Sequence, residues 1–352
     1  MTHDAQATRI GVVLIGRNEG ERLVRALHAA RRDAPAVVYV DSGSTDGSVA
    51  AAEAAGAEVV RLDTTQPFTA ARARNAGFER LRQRWPEIAY VQFIDGDCEL
   101  VAGWLATATA ALDADPKLAA VCGRRRERHP EASVYNRLID LEWNTPVGPA
   151  TACGGDVMWR ASVLASVGGY DPTIAAGEEP QLCMRVRAAG GQLQRLDHEM
   201  TLHDAAITRL AQWWQRDVRT GRGSLDVATR FPGEGNHFGA IVRRARVWAV
   251  GWPVAIIVAF VIAWLSWHVW LGVATGAAVA LLGVLQIVRQ VVAGRRRGLA
   301  WGDAAAYGVL GLLGKFAQMQ GQVRYLLDRV CGRTTALVEY KAAPSPPRGI
   351  VS

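Results

Sequence analysis

The chain opens with a short apolar run, Ile10 to Ile15, that ends in the polar loop Gly16-Arg17-Asn18-Glu19-Gly20. A second run, Val37 to Val40, ends in Asp41-Ser42-Gly43-Ser44-Thr45-Asp46-Gly47-Ser48. Between them Leu23, Ala26, Leu27 and Ala30 fall on one helical face of Glu21 to Arg32,. A helix-like stretch after Ser48 leads to Glu58-Val59-Val60-Arg61-Leu62, and Arg72 to Arg84 again reads as a helix. Ala89 to Ile94 is a further strand, ending at Asp95. Strand, helix, strand, helix, strand predicts an α/β fold with a mostly parallel sheet covered on both faces. Ligands of such sheets bind beyond the carboxyl ends of the strands, where these polar clusters lie.

The middle is less regular. Val121 to Gly123 predicts a strand running into Arg124-Arg125-Arg126-Glu127-Arg128. Residues 150–160 read as a glycine-rich turn and a strand, and Gly177 to Gly191 as a loop, a helix and a Gly-Gly stop. Thr208 to Arg219 is a helix, and Phe231 to Gly235 a loop leading out of the soluble part. From Val247 to Val288 there are 42 residues without Asp, Glu, Lys or Arg, about twice the roughly 20 that span a bilayer as a helix. Two spans are expected there. Trp248 and Trp252 mark one interface, and Trp264, Trp267 and Trp270 the other,. Ser266-Trp267-His268 is the turn between the spans. In residues 304–327 a short apolar stretch is followed by Lys315, Gln318, Gln320, Gln322 and Arg324, which predicts an interfacial amphipathic helix rather than a third span. The expected layout is a catalytic domain over 1–232, a basic linker over 233–246 and two spans over 247–289. An interfacial segment over 298–341 and a disordered tail over 342–352 complete it.

Charge sharpens that layout. The 352 residues carry a formal +7, which by itself is compatible with nucleic-acid binding. The arginines are placed otherwise: Arg243, Arg244 and Arg246 precede the first span, and Arg289, Arg295, Arg296 and Arg297 follow the second. That is the positive-inside pattern, with anionic lipid headgroups as partners and no nucleic acid. The residues before Ile10 are polar, and Ile10 to Ile15 is too short for the apolar region of a signal peptide,. The expectation is a multi-pass protein of the cytoplasmic (inner) membrane, its catalytic domain facing the cytoplasm. Five dispersed cysteines fit reduced thiols there, rather than a disulfide framework or a zinc site,.

Several clusters carry candidate chemistry. Asp41, Ser42 and Asp46 follow a strand directly and could accept from a nucleoside, although Thr45 or Asp46 could equally cap the next helix. Asp95-Gly96-Asp97 is sharper. Two carboxylates one residue apart at the end of a buried strand repel each other unless a cation lies between them, and a hard divalent ion also bridges to phosphate. Arg72 and Asn75 open a helix between the two acidic loops. Arginine suits phosphate by charge and fork geometry, and a solvated basic face is the alternative. Glu178 and Glu179 are adjacent carboxylates able to take a proton from an acceptor hydroxyl, or simply acids favoured at a helix N-terminus. His203 could be a third metal ligand, and Gly154-Gly155-Asp156 an acceptor pocket or a tight turn.

The order of these motifs resembles the family-two glycosyltransferases of GT-A fold. They run from Arg-Asn-Glu after the first strand through DSGSTDGS, ARN, the strand-end DGD and GGD to GEE, over about residues 8–220. The resemblance implies inverting transfer of a sugar from a nucleotide-diphospho-sugar, with Mg2+ or Mn2+. It implies that Asp41 binds the base, that Glu19 is a nucleoside-side contact, and that Asp95 and Asp97 bind metal and diphosphate. Many members have Glu-Asp as the acceptor-activating pair; here the pair is Glu178-Glu179, which places the base at Glu179. Gln181 and Arg185 stand where many members carry QxxRW, but the Trp is lacking. Together with only two spans, that points away from processive polymer synthases. The expected acceptor is lipid-linked or a membrane-near glycan, in cell-surface glycan synthesis. A sugar nucleotidyltransferase and an inactive membrane scaffold are the alternatives. A dehydrogenase is not, because no GxGxxG follows the first strand.

Overall fold

The computed structural model describes residues 9–233, 237–265 and 269–332. The turn at Ser266-Trp267-His268, Glu234 and Gly235 of the exit loop, the first eight residues and the predicted tail lie outside the described residues. The described chain forms two compact units, one of residues 9–130 and 142–206, the other of residues 131–141 and from 207 onward.

The first unit is built on one mixed sheet. Its strands are β1 (Ile10–Gly16), β2 (Ala36–Asp41), β3 (Glu58–Arg61), β4 (Tyr90–Asp95), β5 (Cys98–Leu100), β6 (Leu118–Glu127), β7 (Gly148–Pro149), β8 (Val157–Arg160) and β9 (Gln192–His203). They lie in the order β3-β2-β1-β4-β8-β6-β9-β5, with β7 on β9. The first four are mutually parallel, whereas β8 runs antiparallel to both β4 and β6. The helices α1 (Glu21–Asp33), α2 (Ser48–Ala54), α3 (Ala70–Arg84), α4 (Trp104–Ala114), α6 (Ala161–Ser166) and α7 (Glu178–Ala188) flank it, while α5 (Val134–Trp143) straddles the two units.

The early strands are continuous apolar runs because both their faces are covered. Val12 and Leu14 of β1 pack with α1 and α4, and Val13 and Ile15 pack on the opposite face with α3. The one polar side chain inside β4, Gln92, is fully buried and satisfied: it accepts from the Trp104 indole at 2.8 Å and donates to the Phe93 carbonyl at 2.8 Å. Helix α3 lies close on the sheet at Gly77, where a Cβ would sit 2.3 Å from Val13 Cγ1. Register then sets the site. Gly16 pairs with Asp41, and Ile15 with Asp95, so the polar loops after β1, β2 and β4 emerge at one edge.

The second unit is helical. Helix α8 (Leu210–Arg230) is longer than the predicted Thr208 to Arg219. It continues through Gly221, where a Cβ would meet the Gln318 carbonyl at 2.0 Å, so this glycine serves a helix crossing rather than a helix stop,. The crossing partner is α12 (Trp301–Val330), where a Cβ on Gly321 would in turn meet the Val218 carbonyl at 2.1 Å. Gln318 and Gln322, part of the polar run expected at an interface, are buried within this unit. Gln318 donates to Asp217 at 2.8 Å, and Gln322 accepts from Arg246 at 3.1 Å.

Most of the expected basic linker is helix α9 (His237–Arg246), which a π-helical turn at Val247–Gly251 joins to α10 (Trp252–Leu265). After it, α11 (Val269–Arg296) runs past Arg289. Two stretches, His237–Leu265 and Val269–Arg296, are long and apolar enough to cross a membrane. Their side chains Ile257, Phe260, Trp264, Trp270 and Leu281 are exposed. Small residues bring the pair together: Gly272 lies against Ala263, Gly276 against Phe260 and Gly283 against Trp252,.

Candidate active site

The loops after β1 and β2 are tied to each other by side chain–backbone hydrogen bonds. Asn18 takes the left-handed conformation, at φ 54°. Its backbone N–H donates to Ser44 Oγ at 2.9 Å, and its Oδ1 accepts from Thr45 N at 2.7 Å. Asp46 accepts from Gly20 N at 3.1 Å and from Ser48 N at 2.9 Å, so it braces both loops. Asp41 is buried at the end of β2, accepting from Gly43 N and Ser44 N and from the Tyr39 hydroxyl. Ser42 is buried beside it and donates its N–H to the Gly16 carbonyl. Glu19 pairs with Arg22 at 2.9 Å.

Asp95-Gly96-Asp97 lies against the end of β1. Gly96 donates to the Ile15 carbonyl at 2.8 Å, and a Cβ on it would stand 3.2 Å from that oxygen and from Glu19 Cγ. The two aspartates meet different surroundings. Asp95 is partly exposed and paired with two guanidiniums, Arg74 at 2.9 Å and Arg125 at 3.4 Å. Its backbone N–H donates to Asp156 Oδ1 at 3.2 Å. Asp156 is buried, accepts from Thr201 Oγ1 at 2.7 Å and lies 3.4 Å from Arg125.

Asp97 is buried and faces His203, Oδ2 to Nε2, at 3.4 Å. Register explains this meeting: β9 places His203 opposite Cys98 of β5 on one side and opposite Glu127 of β6 on the other. Glu127 Oε2 stands 3.1 Å from His203 Nδ1. With Nδ1–H donated to Glu127, Nε2 presents a lone pair toward Asp97, which is the carboxylate–histidine arrangement of metal sites. Burial, reinforced by the nearby Arg125 charge, holds the imidazole below its usual pKa and favours the neutral ring that a metal needs,. Trp143 packs edge-on against His203 at 4.5 Å, and Arg125 stacks over Trp143 at 4.2 Å. Asp97, Cys98 and His203 form one group of potential ligands within 4.8 Å of one another, and Asp95, Cys98 and Asp156 another. Carboxylate and neutral imidazole donors suit Mg2+ or Mn2+; Asp95 falls in the second group and not with His203.

Glu178 and Glu179 begin α7 after Gly177, at φ 93°. Glu178 Oε1 is 2.6 Å from Arg74 Nη1, so one buried arginine holds both Asp95 and Glu178. Burial works against the Arg74 charge, but Asp95 and Glu178 outweigh it and raise the guanidinium above its ordinary value. Gly155 leaves room for this contact, since a Cβ there would be 2.7 Å from Arg74 Nη2. Gly154, at φ 87°, makes the turn before it. Glu179 is more deeply buried than Glu178, and its Oε1 accepts from Cys153 N and the Cys183 thiol, both at 2.8 Å. Burial pushes its carboxyl up to about 7, while these hydrogen bonds pull the other way.

Arg72 and Asn75 do not join this cluster. Arg72 donates to the carbonyls of Asp63, Gln66 and Pro67, and Asn75 exchanges hydrogen bonds with the backbone of Tyr170. Arg74 is the residue that reaches Asp95. Its signal was helical spacing: Ala71, Arg74, Phe78 and Leu81 share the buried face of α3,. Arg125 and Glu127 also went unread. Strand alternation sets them on the face opposite Arg126, which is exposed and pairs with Glu199,.

Residues 12–149 match the family described as Glycosyl transferase family 2. The chain is 28% identical over 239 residues to the pre-mycofactocin glycosyltransferase of Mycobacterium tuberculosis, a match covering 63% of this chain and 48% of the relative. It is also 28% identical over 142 residues to a TPR repeat-containing protein of Synechococcus elongatus, covering 40% of this chain and 33% of that one. The chain thus spans about half the length, or less, of the curated relatives it matches. Among solved structures it is similar to a mannosyltransferase from Pyrobaculum calidifontis in complex with GDP-Man and Mn2+. That match has a TM-score of 0.57 and 17% identity, and covers 91% of this chain and 88% of that one.

Proposed function

We propose, from the match of residues 12–149 to Glycosyl transferase family 2 and the GT-A-like fold, that the chain performs inverting transfer of a sugar from a nucleotide-diphospho-sugar to a lipid-linked or membrane-near acceptor. The observation that carries the reading is the row Asp97–His203–Glu127 beside Asp95, at the carboxyl edge of the parallel strands. In this reading Asp41 and the braced loops around it receive the nucleoside, with Glu19 and Ser42 at its rim. Asp95, Asp97 and His203 would hold Mg2+ or Mn2+, which would supply positive charge against the leaving diphosphate. The P. calidifontis enzyme, solved with GDP-Man and Mn2+, supports that pairing of donor and ion.

Glu179 is the general base. A carboxyl raised to about 7 is matched to taking a proton near neutral pH,. The proton of the acceptor hydroxyl passes to the Glu179 carboxylate while the oxygen attacks the anomeric carbon opposite the diphosphate. Glu178 is spoken for by Arg74 and positions the cluster. Gly154, Gly155 and Asp156 border the acceptor side. The exposed apolar side chains of α10 and α11, flanked by Arg243, Arg244, Arg246, Arg295 and Arg296, support a hairpin in the cytoplasmic membrane,. The catalytic domain is then on the cytoplasmic face, and the acceptor is one presented at that surface.

The test is to incubate the purified chain with a panel of nucleotide-sugars and membrane lipids and to measure nucleoside diphosphate. Release that needs Mg2+ or Mn2+ and falls about 10²–10³-fold in Asp97→Asn is expected. Undiminished release in folded Asp97→Asn, or pyrophosphate as the product, would overturn the reading.

A further inference from the structure

The pocket around Glu179 contains thiols for which the proposed reaction has no use. Cys183 lies one helical turn after Glu179 on α7, and its Sγ is 2.8 Å from Glu179 Oε1. Cys153, on the turn before β8, approaches from the other side, its backbone N–H 2.8 Å from the same oxygen. Cys153 Sγ, Cys183 Sγ and a Glu179 carboxylate oxygen all lie within 4.8 Å of one another. Cys122, buried on β6, lies near enough for its thiol to help push the Cys153 thiol up. In the sequence these cysteines are too far apart to form a metal motif. Strand β6, the turn and the helix bring them together.

We propose that Cys153, Cys183 and Glu179 form a binding site for a soft divalent cation of the Zn2+ or Cd2+ type. The geometry is close to what such an ion needs. Zinc holds sulfur at about 2.3 Å and carboxylate oxygen at about 2.0–2.2 Å in a tetrahedron. Three donors already within 4.8 Å of one another need only a small side-chain contraction. Ligand chemistry separates this site from Asp95 and Asp97: thiolates select soft ions, whereas carboxylates and imidazole suit Mg2+ and Mn2+. Binding exchanges the two thiol protons for the ion and releases them to solvent. An ion held there draws charge from the Glu179 carboxylate and lowers its affinity for an acceptor proton. The binding site does not depend on the glycosyl-transfer reading; only this inhibitory consequence does.

The experiment uses the full chain carrying Cys331→Ser, reduced, with excess Mg2+ present. Cd2+ is titrated while the thiolate-to-cadmium charge-transfer absorption and proton release are recorded. One Cd2+ per chain is expected, with a band that Cys98→Ser leaves in place. Cys153→Ser and Cys183→Ser each weaken binding by at least about tenfold. A band that is absent at excess Cd2+, that survives the Cys153→Ser/Cys183→Ser double substitution, or that disappears with Cys98→Ser overturns the site. Because these substitutions fall in a core, zinc-edge X-ray absorption on the Cys331→Ser chain gives a second reading. Two or three sulfur neighbours support the site, and a shell of oxygen and nitrogen alone overturns it. Cd2+ binding without any nucleoside diphosphate release under Mg2+ would leave the site standing and count against the glycosyl-transfer reading.

Discussion

The two halves of the sheet's active edge are held in different ways. After β1 and β2, loops are fastened to loops by short-range polar contacts, with Asn18 and Asp46 each bonding the backbone of the other loop. After β4, charged and polar groups from distant segments hold one another: Arg74 with Asp95 and Glu178, and the His203 imidazole with Asp97 and Glu127. The first kind of fastening tolerates loss of a member, because water can replace one exposed hydrogen bond. The second does not, because removing one partner leaves a buried charge uncompensated.

The largest test of that contrast is Glu179→Gln. Turnover should fall about 10²–10⁴-fold, as for loss of a general base, with donor binding retained. The rate of the parent chain should rise with pH through about 7 as this carboxyl ionises. Stability should move the other way. The folded state holds the Glu179 proton more tightly than the unfolded chain, so this contribution is present at low pH. It is lost as pH rises from the ordinary carboxylate value of about 4.3 through the folded value of about 7,. Thermal unfolding at several pH values measures this, and Glu179→Gln should flatten the slope. An unchanged slope would assign it to other groups.

Glu127→Gln is the middle case. It leaves every proposed ligand in place but removes the charge that orients His203. Affinity for Mn2+, measured by titration calorimetry, should drop about 10–100-fold. An unaltered affinity would make Glu127 a structural partner only. The smallest effect is expected from Asp46→Ala, on the loop side. Losing two exposed hydrogen bonds should cost about 1 kcal/mol of loop order, seen as a several-fold weaker nucleotide affinity with Mn2+ affinity unchanged. If Asp46→Ala proved as damaging as Glu127→Gln, the contrast between the two halves would fail.

The same contrast explains what could be read in advance. The strands β1, β2 and β4 were legible because burial on both faces leaves an unbroken apolar run,. The acidic loops were legible because they follow those runs directly. Arg74, Arg125 and Glu127 were not, because their importance lies in partners 21 to 104 residues away. A run of basic residues also looks like a solvated face until strand alternation divides it. Helix α8 runs past the predicted Arg219 to Arg230, through Gly221, the place where another backbone passes.

Arg74 touches the proposed donor end and the proposed acceptor end at once. Its charge is a shared counter-ion, so the two ends form one thermodynamic system. A ligand that draws Asp95 away from it strengthens its hold on Glu178, and a ligand that draws Glu178 away strengthens its hold on Asp95 in return. Linkage makes the two effects equal in free energy. Donor and acceptor should therefore bind with a measurable heterotropic coupling, and Arg74→Lys, whose single ammonium cannot fork between two carboxylates, should reduce it.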